Sequence, residues 1–312
     1  MTKHKHKHDD RGDRAPRPAA PVDLAKEITG ERIAAMVEQA GPELGRHAAL
    51  DFSGINFAML GDAFSRGRIA SYLPSHRGKV PALPPANAKG EMEFDLGYAT
   101  ISIPQAYAPY VRYVHEVFGS PSEDQEVDVG QVLAYFNTLR QWVGTIPGTL
   151  RDQVAAFLAD AGDHHALLSR RVQGHGKEMA GDPNFEVVAH VPYMFAYLCR
   201  IMVDPRVPPE PKVDAAMGIV YFASPVDVIP EAFVDHPIAL ADDACVALWV
   251  IRALESSIVS KAAIESNWPG EAPLPVSVDV WEKPIRELLG EDAVDAVYSY
   301  FAMKRGRASV IR

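Results

Sequence analysis

Apolar residues recur at helical spacing along most of the chain. Leu24, Ile28, Ile33, Met36 and Val37 set one apolar face on a helix over 22–39, with Asp23 as its N-cap and Gly41-Pro42 as its stop. The stretch 50–73 mixes apolar residues with Gly54, Gly61 and Gly67 and predicts short helices broken at glycines. The same period returns over 107–118, 127–143 and 149–172, the last expected to bend at Gly162. It returns again in a helix to about Met202 capped by Asp182 or Asn184, and in a final pair over 280–289 and 291–303. One stretch departs from this rule. Met92, Phe94, Leu96 and Tyr98 alternate, and Ile101 and Ile103 follow on the other parity, which predicts a hairpin folded at Gly97 or a strand bulged there.

The pattern predicts a mainly α protein, a helical bundle with one small β element in the N-terminal part. Residues 1–20 are charged, aperiodic and expected to be disordered, and Lys3 to His8 alternate lysine with histidine. Residues 22–120 form an N-terminal portion of short helices and the β element. The helical bundle occupies 121–265, and 266–312 hold a C-terminal helical pair and a basic tail.

Composition narrows the function classes. The chain has 312 residues, 47% of them hydrophobic, enough for a packed core. A formal charge of −10 supplies no general phosphate-neutralising surface, so nucleic acid is not the expected partner. Arg66, Arg68, His76, Arg77 and Lys79 form a local basic cluster, read as a solvated loop. Cys199 and Cys245 are too few for a disulfide scaffold, and no apolar leader opens the chain, which points to the cytoplasm. The apolar runs 187–203 and 238–251 are broken by charges and read as core helices, with peripheral membrane contact as the other option. Gly174, Gly176, Lys177 and Gly181 lack the spacing of a phosphate loop and read as a turn.

The least ordinary stretch is 223–244, ASPVDVIPEAFVDHPIALADDA, where Asp227, Glu231, Asp235, Asp242 and Asp243 lie among apolar side chains. Pro225 ends the preceding helix, Asp227 is placed to cap a short helix from Val228 with Pro230 in its first turn, and Pro237 starts the next helix. On that last helix both faces carrying Asp242 and Asp243 are apolar, so at least one aspartate points into protein, where an unpaired charge is costly. Three kinds of partner relieve that cost. The backbone amides of 224–229 can receive a carboxylate; Arg200, Arg206 or Lys212 can form an ion pair; or magnesium or manganese can bridge Asp227, Glu231, Asp242 and Asp243. A metal would admit phosphoester hydrolysis with His236, His164, His165 or His190 as base. Asp163-His164-His165 lacks the i, i+4 spacing of paired ligands and reads as a solvated helix end, and His190 reads as a core histidine. No serine elbow, Cys–His pair in a supporting context or dinucleotide fingerprint is present.

The span from Tyr193 to Leu254 carries LCRIMVDPRVPPEPKVDAAMGIVYFASPVDVIPEAF and then ALADDACVALWVIRAL. It resembles the YkvA-like family, a bacterial domain of unknown function. The resemblance lies in a helix and basic-proline linker, an apolar helix ending in Tyr-x-x-Ser-Pro-x-Asp-x-Ile-Pro, and an Asp-Asp pair opening the next helix. Glu231 stands where the family usually has aspartate, and Val234-Asp235-His236-Pro237 replaces a connection that usually carries glycine. The resemblance implies a small helical module, found in some relatives beside membrane segments, and no established reaction. The expected function is that of a non-enzymatic interaction or scaffold protein binding another protein. A metal-dependent phosphoester hydrolase and a peripheral membrane adaptor using the basic tail from Lys304 are the alternatives.

Overall fold

A computed structural model describes residues 22–64, 66–73, 82–95, 100–118, 129–176, 182–234, 236–270, 274 and 279–306. The tail 1–20, His76, Arg77 and Lys79, the turn at Gly97, Lys177, Gly181 and Asp235 lie outside the described residues. The protein is mainly α: the described residues are 68% helical, with 14 helices and one two-stranded sheet among them.

In chain order the helices are α1 (Leu24–Glu27), α2 (Gly30–Leu44), α3 (Phe57–Phe64), α4 (Ala108–Val117), α5 (Val129–Thr145), α6 (Leu150–Ala159) and α7 (Ala161–Gly174). They continue with α8 (Pro183–Ala189), α9 (Val191–Val203), α10 (Pro209–Phe222), α11 (Ala241–Glu255), α12 (Lys261–Asn267), α13 (Asp279–Leu289) and α14 (Glu291–Lys304). Strands β1 (Glu91–Asp95) and β2 (Thr100–Pro104) pair antiparallel, with Met92 opposite Ile103 and Phe94 opposite Ile101. The change of parity in the sequence is therefore a hairpin, because each strand turns its own apolar set to the same face.

Helix α10 is the axis. Every residue from Pro211 to Phe222 is buried, and the helix is apolar nearly all round, as an interior helix must be. Helices α9 and α11 flank it, α2 and α6 cover another side, and α13 and α14 close over α11. One continuous core runs from Leu24 to Phe301.

Helix boundaries depart from the periodic pattern where packing intervenes. The expected helix over 22–39 is two, because Thr29 accepts from the Arg32 amide and starts α2 afresh. Gly41-Pro42 does not stop α2, which carries Pro42 in its last turn and ends at Leu44. The run 149–172 is broken at Asp160, and Gly162 serves close packing: a Cβ there would stand 2.8 Å from that of Ala25. The helix capped by Asp182 is interrupted at His190, one residue before α9 begins. Phe52 has φ 56°, a left-handed conformation uncommon for a large side chain, and is completely buried against Tyr221, Trp142, Tyr300 and Phe301.

Candidate functional site: a buried carboxylate pair in a tyrosine shell

The local chain path sets the geometry. Helix α10 delivers Tyr221 in its last turn and ends at Phe222. The Val226 amide donates to Ser224 Oγ (3.0 Å), and Pro225 keeps the backbone out of the helix. The chain then runs without regular structure to Pro230, whose carbonyl accepts from the Phe233 amide (2.9 Å). His236 Nδ1 accepts from the Ile238 amide (3.1 Å) at the start of a 3-10 turn over Pro237–Leu240, from which α11 departs. Asp242 and Asp243 thus fall in the first turn of α11, where negative charge meets the positive end of the helix dipole.

No helix starts at Val228, contrary to the sequence expectation. The amides such a helix would leave open are taken from across the turn: those of Val228 and Ile229 both donate to Asp242 Oδ2 at 3.1 Å. Asp227 consequently caps nothing. Its Oδ1 lies 3.0 Å from the Tyr221 hydroxyl, which is also 2.6 Å from Asp242 Oδ2, and its carboxyl is in hydrogen-bonding contact with that of Asp242.

Tyrosines from two other helices complete the shell. Tyr110 of α4 donates to the Pro225 carbonyl (3.1 Å) and accepts from the Asp227 amide (3.2 Å). Tyr135 of α5 also reaches the Pro225 carbonyl and touches the Tyr110 hydroxyl, and Tyr113 of α4 donates to the Val228 carbonyl. Burial pushes all of these phenols, and Tyr221, upward, so they stay neutral.

The carboxyls are pushed the same way. Burial raises Asp227 well above the ordinary range, and the Asp242 charge adds to it. Burial followed by Asp242 and Glu231 raises Asp243. Burial also raises Glu231, against the pull of Arg171, whose Nη1 lies 2.7 Å from Glu231 Oε1.

Arg171 of α7 is a partner that sequence reasoning missed, and the expected ones are elsewhere. Arg200 grips Glu27 (2.5 and 2.6 Å), Arg206 grips Asp204 (2.6 Å), and Lys212 donates to Gln39 Oε1 (2.7 Å). Helix geometry explains the correction. Lys212 lies nine positions before Tyr221 on α10, ~13 Å along the axis, and so belongs to the opposite end of the bundle. Burial there lowers Lys212 to about 8.

Nor are the histidines a solvated end or a set of bases around the carboxyls. His165 is buried, and His164 packs on Phe195 (4.8 Å) with one ring nitrogen bonded to the Phe222 backbone, burial holding it down at about 4. His190 Nδ1 meets the Glu186 carbonyl (2.7 Å), and its ring lies 5.1 Å from that of Trp281. Among the described residues no group of three or more His, Cys, Asp and Glu side chains is arranged to hold a metal ion, and no helix is long and apolar enough to cross a membrane.

Beside the pair lies an open cleft of about 320 Å³ between α5 and the acidic turn, lined by Ala134, Tyr135, Thr138, Ser224, Asp227 and Glu231 among others. The chain matches no family model, no curated protein and no solved structure. What the site can do therefore rests on its own chemistry. Asp242 Oδ2 is held by internal donors, and the cleft lined by Asp227 and Glu231 is the open side of the site.

Proposed function

We propose that this protein is a non-enzymatic helical interaction or scaffold protein, built on a YkvA-like module, that receives a basic side chain of a partner protein in the cleft between α5 and the acidic turn. The observation that carries this reading is the saturation of Asp242 Oδ2 by Tyr221, Val228 and Ile229. An oxygen so occupied pins two segments together and has no coordination left to offer a reacting group. Asp227 and Glu231 line the cleft with carboxyl oxygens, acceptors that suit the donors of a lysine or arginine.

Ala134→Arg and Thr138→Trp test it, since both positions are exposed and substitution there leaves the core intact. In affinity purification from the native cell, both variants should lose a protein that wild type retains, at unchanged melting temperature. An identical partner set for all three proteins would remove the cleft from consideration.

The second reading is a metal-dependent phosphoester hydrolase. It is favoured by Asp242 Oδ1, fully buried and without a hydrogen-bond partner among the described residues, which a cation would satisfy. On that reading magnesium or manganese raises the melting temperature of wild type but not of the Asp242→Asn, Asp243→Asn double variant. Equal shifts in the two proteins exclude it.

A further inference from the structure

The hydrogen bonds around Tyr221 do not balance with the hydrogens the neutral phenol and the backbone provide. The Tyr221 oxygen lies 2.6 Å from Asp242 Oδ2, 3.0 Å from Asp227 Oδ1 and 3.1 Å from the Val228 nitrogen. A hydroxyl has one hydrogen to give. Given to Asp242, it leaves Asp227 Oδ1 facing a bare oxygen; given to Asp227, it leaves two bare oxygens 2.6 Å apart. The Val228 amide, shared between the Tyr221 oxygen and Asp242 Oδ2, and the Ile229 amide, directed at Asp242 Oδ2, do not repair this, because neither is given to Asp227 Oδ1. Asp242 Oδ1 meanwhile is buried with no donor among the described residues. One further hydrogen on the carboxyl pair removes the deficit.

We propose that Asp227 and Asp242 share a single proton at neutral pH, and that this proton latches the turn between α10 and α11, making the turn a pH-sensitive device that loosens as pH rises. Every element packed on the pair fits this assignment. Helix α10 contributes Tyr221, α4 contributes Tyr110 and Tyr113, and α5 contributes Tyr135, all of them neutral phenols. Helix α11 adds Asp243 and Cys245, whose burial favours the uncharged forms. From α7, Arg171 is engaged by Glu231, and His164, on the Phe222 backbone, is held neutral by its burial. Two carboxylates in contact in such surroundings cannot both ionise, as in catalytic aspartate dyads.

When the proton leaves, the members of the pair have unequal alternatives. Asp242, completely buried, holds three donors on Oδ2 in the latched state. Asp227 lines the cleft, so its ionised form turns toward the cleft and carries the Pro225–Ile229 backbone with it. The sign follows from linkage. Above the ordinary carboxylate range the unfolded chain has lost a proton that the native pair still holds, so the latch weakens as pH rises toward the raised value of Asp227.

The test is infrared difference spectroscopy of the full chain with pH, paired with hydrogen exchange at the Val228 and Ile229 amides. Wild type should show the carbonyl stretch of a protonated carboxyl at pH 7 and lose it at higher pH, while exchange at both amides accelerates over the same interval. Asp227→Asn, whose side-chain amide carries a permanent donor, should lose the component of the band that falls in step with amide exchange and keep both amides protected throughout. Asp243→Asn should retain the band, and it carries the test if Asp227→Asn does not fold. A band absent at pH 7, a band abolished by Asp243→Asn, or a band removed by magnesium or manganese together with a rise in melting temperature would each overturn the proposal, the last in favour of a bound cation.

Discussion

Two tyrosine-to-phenylalanine substitutions, chemically identical and both in the core, should have opposite effects on stability. Tyr221 donates across 2.6 Å to a buried carboxylate, a charge-assisted bond worth about 1.5–3 kcal/mol. Its ring packs edge-on against Phe52 at 5.2 Å and against Phe301 at 5.9 Å, and phenylalanine retains both contacts. The Val228 amide keeps Asp242 Oδ2 as its acceptor, so no donor is orphaned. The expected loss for Tyr221→Phe is therefore the hydroxyl's own share, roughly 2–3 kcal/mol. Tyr197 is the counterpart: its hydroxyl is fully buried and finds no hydrogen-bond partner among the described residues. Removing it relieves a desolvation cost without breaking a bond, so Tyr197→Phe should be neutral or stabilising by up to about 1 kcal/mol. Urea unfolding read as a shift in midpoint at constant slope measures both. A loss under about 0.5 kcal/mol for Tyr221→Phe, or equal losses for the two variants, would refute the hydrogen-bond assignment around the carboxyl pair.

Three further outcomes follow from features away from that pair. Arg305 donates to Asp214 across 2.9 Å with side chains 8% and 0% exposed, so Arg305→Leu should cost about 3–5 kcal/mol in urea unfolding by removing the guanidinium from a buried charge. Gln153 both accepts from the Leu50 amide and donates to the Leu50 carbonyl at 2.8 Å, and Gln153→Leu should cost about 2–4 kcal/mol by leaving the two backbone groups without it. His164 is held at about 4 against an ordinary 6.5. The unfolded chain therefore takes up that proton first as pH falls, and stability drains by about 1.4 kcal/mol per unit, ~3 kcal/mol in all, between those values. His164→Gln should remove this share from a series of urea melts between pH 7 and pH 4, and parallel curves for wild type and variant would count against it.

The helical period and the parity switch after Tyr98 carried most of the architecture, since both report which face of an element is buried. The final helices fall within a residue of their expected limits, at Asp279–Leu289 and Glu291–Lys304, because Gly290 stands between two clear apolar stripes. Breaks at Asp160 and His190 were not readable, because tertiary packing imposes them: α7 starts where α1 presses on Gly162. At the site, two apolar faces around Asp242 marked a buried acid. Its donors, Val228 and Ile229, lie in the turn that was one of the expected acceptors of a carboxylate. Arg171 and Tyr135 gave no local signal, since their contacts with the turn span long stretches of chain. Tyr110 and Tyr113 offered a partial one, as polar tips on an apolar helical stripe ask for partners. The distance between Lys212 and Tyr221 on one helix was available from residue counting and excludes that ion pair without any coordinates.

The shell around Pro225 and Val228 also bears on where a cooperative unit begins and ends. The resembling span, 193–254, looks self-sufficient as text: two long apolar helices and the turn that joins them. Yet the carbonyls of Pro225 and Val228 receive their hydrogens from Tyr110, Tyr113 and Tyr135, and Glu231 receives its charge partner from Arg171. Excised at its textual edges, that span would keep its acids and lose the groups that make burying them tolerable. In this chain the span 193–254 depends on α4, α5 and α7 to complete its turn, so the unit that folds is larger than that span.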